Sequence, residues 1–191
     1  MRLFLALDLP AATKHRLADA VRSRREWWDG TDLARHVRLV PAANLHVTLK
    51  FLGEVPDDRV AAVRAALAAG VPRVGPVELR PASAGFFPPR GNARVFVVHL
   101  AGDLERLSTA YAGVESALES LGFPREGRPF KPHVTVGRAR DRQGAPAAVR
   151  RVVERDAALA EEPFVVDAVT LFSSDLRPGG PAYSVVERFE L

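Results

Sequence analysis

The amino-acid sequence predicts a mixed fold of strands and helices built as a single domain over residues 1–191, with two similar lobes, roughly 1–90 and 91–191, related by a pseudo-two-fold. Two observations carry that expectation. Short β-like runs alternate with amphipathic helical stretches along the chain, and the second half repeats the plan of the first. Arg2-Leu3-Phe4-Leu5-Ala6-Leu7 matches Arg94-Val95-Phe96-Val97-Val98-His99 at an offset of 92 residues, and each run leads through a long helix to a His-Val-Thr strand. The triplets His46-Val47-Thr48 and His133-Val134-Thr135 stand 87 residues apart. Near-equal offsets are what two copies of one supersecondary unit give. The lobes can also exchange strands.

The elements follow in order. Arg2–Asp8 reads as a strand, and Pro10 opens a helix that runs to about Glu26, with Trp27 and Trp28 in the loop beyond. Leu45–Leu52 is a strand ending at Gly53. Asp57 or Asp58 caps the next helix, whose apolar face is Val60, Val63 and Leu67 and which Gly70 ends. Val77–Ala84 is a strand, and Gly85–Gly91, rich in proline and glycine, breaks the pattern. Ala93–Leu100 is the next strand. The helix after it carries Leu104, Leu107, Tyr111, Val114, Leu118 and Leu121 as one stripe. Phe130–Arg138 is the strand of the second triplet, and a shorter helix spans Pro146–Leu159. Two last strands, Phe164–Phe172 and Ala182–Leu191, flank a turn at Arg177–Pro181, with Tyr183, Val185, Phe189 and Leu191 on one face.

Composition excludes whole classes of chemistry. There is no cysteine, hence no disulfide, thiolate nucleophile or cysteine-ligated zinc. No apolar run approaches the roughly 18 residues of a membrane span, and the first residues read as a strand rather than a signal peptide, so a cytoplasmic location is expected. Net charge is +4, almost all of it from arginine, since lysine occurs only at positions 14, 50 and 131. A basic surface suits phosphate, although arginine bias of this kind also follows from genome composition.

The chemistry sits in the two triplets. In a strand, residues i and i+2 share a face, so each triplet presents an imidazole beside a hydroxyl. Five His and six Thr in 191 residues give about 0.16 His-x-Thr triplets by chance, so two at equivalent places are a signal. Imidazoles titrate near pH ~6.5, which lets one be neutral and one protonated. Such a pair supplies the base and the acid that an in-line displacement at phosphorus needs, and threonine hydroxyls can hold non-bridging oxygens. His15, His36 and His99 read as structural or solvent-facing. No spacing of histidines and carboxylates suggests a metal site.

The triplets lie within longer matches. Arg2-Leu3-Phe4-Leu5-Ala6-Leu7-Asp8-Leu9-Pro10, Asn44-Leu45-His46-Val47-Thr48-Leu49-Lys50-Phe51-Leu52-Gly53, Phe130-Lys131-Pro132-His133-Val134-Thr135-Val136-Gly137-Arg138 and Leu171-Phe172-Ser173-Ser174-Asp175-Leu176 together resemble the 2H phosphoesterases. Within these the chain is most similar to the bacterial and archaeal RNA 2′,3′-cyclic phosphodiesterases, also called 2′–5′ RNA ligases. The resemblance spans nearly the whole chain. It implies a bilobal α+β fold with antiparallel sheets lining a central cleft and helices outside, and no cofactor. It implies hydrolysis of 2′,3′-cyclic phosphates, on RNA 3′ ends or on nucleosides, to 2′-phosphates. His46 and His133 would then be catalytic, and Thr48, Thr135 and Arg138 would bind phosphate. Phe51, the counterpart of Arg138 five residues after its histidine, either stacks on a base or packs in the core. His133 is read as base and His46 as acid, although the duplicated pattern does not itself break that symmetry. Both halves of the site come from one chain, which fits a monomer.

Three other functions use the same cleft: 2′–5′ ligation as the main role, RNA-end binding without turnover, and hydrolysis of a small cyclic nucleotide. The residue pattern favours catalysis over binding alone, because binding needs no acid–base pair. Phosphodiesterase activity is expected to survive a chelator; loss on chelation with rescue by added metal would contradict the two-histidine reading.

Overall fold

The computed structural model describes residues 1–24, 33–141, 143–145, 147–155, 162–178 and 180–191. The strands are β1 (Arg2–Asp8), β2 (Val37–Leu39), β3 (His46–Glu54), β4 (Val77–Phe87), β5 (Val95–Gly102), β6 (His133–Ala139), β7 (Phe164–Val166), β8 (Ala168–Arg177) and β9 (Gly180–Glu190). The helices are α1 (Ala11–Ser23), α2 (Leu33–His36), α3 (Asp57–Gly70), α4 (Leu104–Glu119) and α5 (Ala147–Arg155). The fold is α+β. The strands form one curled antiparallel sheet in the order β7-β4-β5-β6-β3-β1-β8-β9, with β2 also pairing with β6.

The sheet falls into two similar halves. In one, β1 lies between β3 and β8; in the other, β5 lies between β6 and β4. The halves of the sheet do not follow the chain's midpoint: β4, from before residue 91, pairs with β5, and β8, from near the C-terminus, pairs with β1. The halves meet through one register pair, Val47 of β3 with Val134 of β6.

Alternation along the strands decides the layers. Leu3, Leu5 and Leu7 of β1 enter the main core, whereas Phe4 and Ala6 point to the other face and join Phe172 and Tyr183 in a small separate cluster. The main core also takes Leu17 and Val21 of α1, Val63 and Leu67 of α3, and Leu107, Val114 and Leu118 of α4. Helices therefore cover one face and leave the other open. At roughly 1.5–3 kcal/mol for each fully buried leucine or valine, this layer holds the curl of the sheet.

Several boundaries differ from the sequence expectation, each for a local reason. Helix α1 ends at Ser23 with Arg24 already non-helical; Trp27 and Trp28 lie outside the described residues. Pro56 occupies the N-cap position of α3 without a side-chain cap bond, so neither aspartate caps it; Asp57 and Asp58 sit in the first turn, where they complement the helix dipole. Strand β3 runs through Gly53 to Glu54, and β4 runs on through Gly85, Phe86 and Phe87, which pair with Val97, Phe96 and Val95. The stretch expected as one strand from Phe164 is two. It breaks at Asp167, and β7 pairs with β4 while β8 pairs with β1. In β9 a register jump between Leu171 and Phe172 of its partner leaves Val186 unpaired. Tyr183 therefore joins the open-face cluster while Phe189 and Leu191 enter the main core. In α4, Leu104 is exposed and is not part of the buried stripe.

One polar contact ties α4 to the sheet. Lys50 Nζ donates to Glu115 Oε1 and to the Pro124 carbonyl, both at 2.7 Å, and Glu115 Oε2 accepts from the Glu126 amide at 2.9 Å. Both side chains are buried, at 7% and 4% exposure. Glu115→Leu, which strands the ammonium, is expected to cost about 3–5 kcal/mol, and Lys50→Met in the same molecule to restore much of it. Urea unfolding of the single and double variants checks this; equal midpoints for wild type and Glu115→Leu would contradict it.

Candidate active site

The seam between β3 and β6 builds the site. Val47 and Val134 face the core and are fully buried. Their neighbours along each strand must face the open side. Continuing the antiparallel register from Val47–Val134 sets Thr48 beside His133 and His46 beside Thr135. Two histidines and two threonines from opposite halves of the chain thus bracket the pseudo-two-fold axis.

The rings are oriented by their own backbone. His46 Nδ1 lies 2.8 Å from the Asn44 carbonyl, and His133 Nδ1 lies 2.6 Å from the Lys131 carbonyl. A carbonyl only accepts, so Nδ1 carries the proton in both neutral rings and Nε2 is the reactive nitrogen. His46 Nε2 sits 3.0 Å from Thr48 Oγ1, which donates to it. Burial pushes both imidazoles below the ordinary histidine value. The carbonyl bonds oppose that shift, and the positive charge of Arg138 adds to it at both rings. At His46, the fields of Lys14, which lowers, and Asp8, which raises, also act. Asp8 is the cross-strand partner of His46 and holds Lys14 in an ion pair at 2.6 Å.

Each triplet is followed by a bulge. Ala6 pairs with Thr48 but Leu5 with Lys50, and Val97 pairs with Thr135 but Phe96 with Gly137. Leu49 and Val136 are therefore each unopposed. Without a bulge, the fourth residue after each histidine would face the site. With it, the fifth does, and that residue is Phe51 in one half and Arg138 in the other. Phe51 is 64% exposed, which excludes core packing. Its ring lies 5.9 Å from that of Phe4.

A cleft of about 1460 Å³ opens here, with Thr48, Phe51, His133, Thr135 and Arg138 among its lining residues. His46 stands at its margin behind Thr48. Of the residues expected from sequence, all six therefore converge on one face. Others came with them unannounced. Tyr183 meets His46 edge-on at 5.4 Å, and Phe87 meets His133 edge-on at 4.9 Å. His99 is the cross-strand partner of His133 rather than a solvent-facing strand end. His36 ends the short helix α2 rather than lying in a loop. The Asp8 partnership was latent in the match between the first strand and the first triplet; Tyr183 and Phe87 depend on bulges and strand order, which leave no local signal. Among the described residues no group of three or more histidines and carboxylates is placed to hold a metal ion, and no helix is long and apolar enough to cross a membrane.

Comparison with known proteins gives a consistent picture. Residues 11–178 match the model of the 2′-5′ RNA ligase superfamily. The RNA 2′,3′-cyclic phosphodiesterase of Thermus thermophilus is 35% identical, over 100% of this chain and 90% of its own length. The protein of the same name from Methanocaldococcus jannaschii is 27% identical, over 99% of this chain and 100% of its own. Among solved structures, Escherichia coli LigT in complex with 3′-AMP superposes with a TM-score of 0.76 at 26% identity, covering 100% of this chain and 97% of LigT. The crystal structure of a Thermus thermophilus protein gives 0.71 at 30% identity, covering 100% of this chain and 98% of its own.

The ring environments have a direct readout. Both histidines are expected to titrate below 6.5, the ordinary histidine value, and to show the Nδ1–H tautomer when neutral. Arg138→Gln removes a positive charge and is expected to move both midpoints upward. Nitrogen-detected NMR titration checks this; midpoints that stay put would contradict the influence of Arg138 on the rings.

Proposed function

We propose a reaction from one premise: the chain belongs to the 2′-5′ RNA ligase superfamily. The reaction is hydrolysis of a 2′,3′-cyclic phosphate, at the 3′ end of an RNA or on a nucleoside, to the 2′-phosphate. The observation that carries it is the seam, where two imidazoles with Nε2 presented toward the open face flank one space together with two threonine hydroxyls. The names of the curated relatives support the same reaction.

The steps follow from the geometry. To leave a 2′-phosphate, water attacks phosphorus opposite O3′, and the P–O3′ bond breaks. One Nε2 takes the proton from water and the other gives a proton to O3′. Thr48 and Thr135 donate to the non-bridging oxygens, and the positive field of the Arg138 guanidinium, which reaches both imidazoles, favours the charge that grows on them. His46 is assigned as the acid; Asp8, its cross-strand partner, favours the protonated ring, while the Lys14 that Asp8 holds opposes it. His133, whose cross-strand partner is a histidine, is the base. Phe51, exposed beside Phe4, offers a face for the terminal base. Both triplets come from one chain, so a monomer suffices.

The 2′–5′ ligation carried in the family's name runs the same steps with a 5′-hydroxyl in place of water: its oxygen attacks phosphorus, the P–O3′ bond breaks, O3′ takes the acid's proton, and a 2′–5′ phosphodiester is left. Incubation with a nucleoside 2′,3′-cyclic phosphate and with a short RNA ending in one, followed by product identification, tests the proposal. The expected product is the 2′-phosphate, and His46→Ala or His133→Ala is expected to lower the rate by at least ~10²-fold. A 3′-phosphate product, or near-wild-type turnover in either variant, would sink the two-histidine mechanism.

A further inference from the structure

We propose that Arg38 and Arg138 together form a site for a second, non-reacting backbone phosphate, the one joining the terminal nucleotide of the RNA to the nucleotide before it. The inference rests on the reading of the chain as an RNA-end phosphodiesterase and says which form of substrate the site is built for.

The sheet register places the pair. Arg38 of β2 is the direct cross-strand partner of Arg138 of β6. Directly opposed residues share a face, with Cβ atoms about 4.5–5.5 Å apart, and like charges so placed are destabilising. Such an arrangement calls for a counter-charge, and among the described residues neither guanidinium has a carboxylate partner. Other surface arginines do: Arg64 pairs with Glu187, Arg73 with Glu190, Arg125 with Glu119 and Arg188 with Asp167. Arg2, Arg80, Arg94 and Arg177 likewise have no carboxylate partner among the described residues, so what singles out the Arg38–Arg138 pair is the direct cross-strand placement of two like charges beside the site.

The backbone beneath it is tightly held. Leu39 pairs with Gly137, and a Cβ on Gly137 would come within 2.6 Å of Val37 Cγ1. Glycine there lets β2 lie close against β6. The Val40 amide then donates to the Val136 carbonyl at 2.9 Å. Strand β2 therefore continues the track alongside β6 that β3 leaves.

On that track the rows succeed one another across the open face. Thr48 lies beside His133, His46 beside Thr135, and Arg38 beside Arg138. Thr135 and Arg138 are three residues apart with one bulge between them, roughly 7–10 Å along the strand. That is about one nucleotide step from the reacting phosphorus. Two guanidinium forks converging on one set of oxygens suit a phosphodiester, which each can contact bidentately. A nucleoside 2′,3′-cyclic phosphate with a free 5′-hydroxyl lacks that phosphate; a dinucleotide or longer RNA end supplies it.

The test compares kcat/KM for adenosine 2′,3′-cyclic phosphate and for a diadenylate ending in the cyclic phosphate. The wild type is expected to prefer the dinucleotide, and Arg38→Gln to shrink that preference about tenfold, as loss of one charge-assisted contact predicts. An unchanged preference, or an equal fall on both substrates, would overturn the proposal. Turnover of neither substrate by the wild type is failure of the underlying reading, and a binding arm then decides this one. Fluorescence anisotropy with a labelled short RNA ending in a 2′-phosphate is measured over a salt series. Arg38→Gln is expected to reduce the slope of log affinity against log salt by about 0.7, the value for one single-strand phosphate contact. An equal slope in both proteins would overturn the site.

Discussion

The site depends on one backbone pairing, Val47 with Val134. The histidines and threonines proposed as catalytic and phosphate-binding are the neighbours of that pair in its two strands. The two valines are fully buried against the helical layer, so their register is fixed by hydrophobic burial rather than by polar contacts. A slip of one residue would turn both histidines into the core and both valines out, a change no packed sheet tolerates. The geometry of the site is thus held by hydrophobic burial, while its polar groups only aim one another: the carbonyls orient both rings, and Thr48 bonds to His46.

Those carbonyl bonds do for each histidine what a buried carboxylate does in other acid–base sites: they select the tautomer without adding charge. Burial and Arg138 both work against protonation of the two rings. In the proposed reaction a phosphodiester would bring negative charge to the same space, and its field would favour the imidazolium that the acid step needs. The bulge that turns Arg138 to the open face would temper that effect by keeping a fixed cation nearby.

Much of this was legible in the sequence, and the parts that were not share a cause. The triplets, their face and the duplication were readable because period-two patterning survives in isolation. The duplication was nevertheless one residue out. Sequence pattern sets Phe4 against Phe96, an offset of 92. In the structure Ala6 and Val97 are the partners of Thr48 and Thr135, an offset of 91. One residue flips the face, and so Phe4 lines the open side while Phe96 is buried with Phe86. Bulges have the same effect at Val186, which separates Tyr183 from Phe189, and they escape pattern reading because an extra residue looks like any other. The break at Asp167 escaped for a different reason. Strands β7 and β8 are both apolar, and only tertiary pairing sends them to distant parts of the sheet. At the start of α3, Pro56 already sets the backbone, so the aspartates after it, which read as caps, do not cap; the end of α1 at Ser23 carries no glycine or proline to mark it.

Duplication makes two similar half-sites, but the reaction is not symmetric, and the differences lie in the residues around the triplets. The cross-strand partner of the histidine is Asp8 in one half and His99 in the other; the residue turned in by the bulge is Phe51 in one and Arg138 in the other. These substitutions change neither fold nor register, since each occupies an equivalent place on the same lattice of strands. They do set polarity. In the proposed reaction the half with Phe51 takes the base and the half with Arg138 takes the phosphate. A second arginine joins on that side, where β2 docks against Gly137 and brings Arg38 up to Arg138. The first half has Lys50 at the position of Gly137, and that lysine is committed to Glu115 in the core. A strand equivalent to β2 therefore has no counterpart seat there, so the proposed substrate lies with its base toward Phe51 and its backbone toward the arginines.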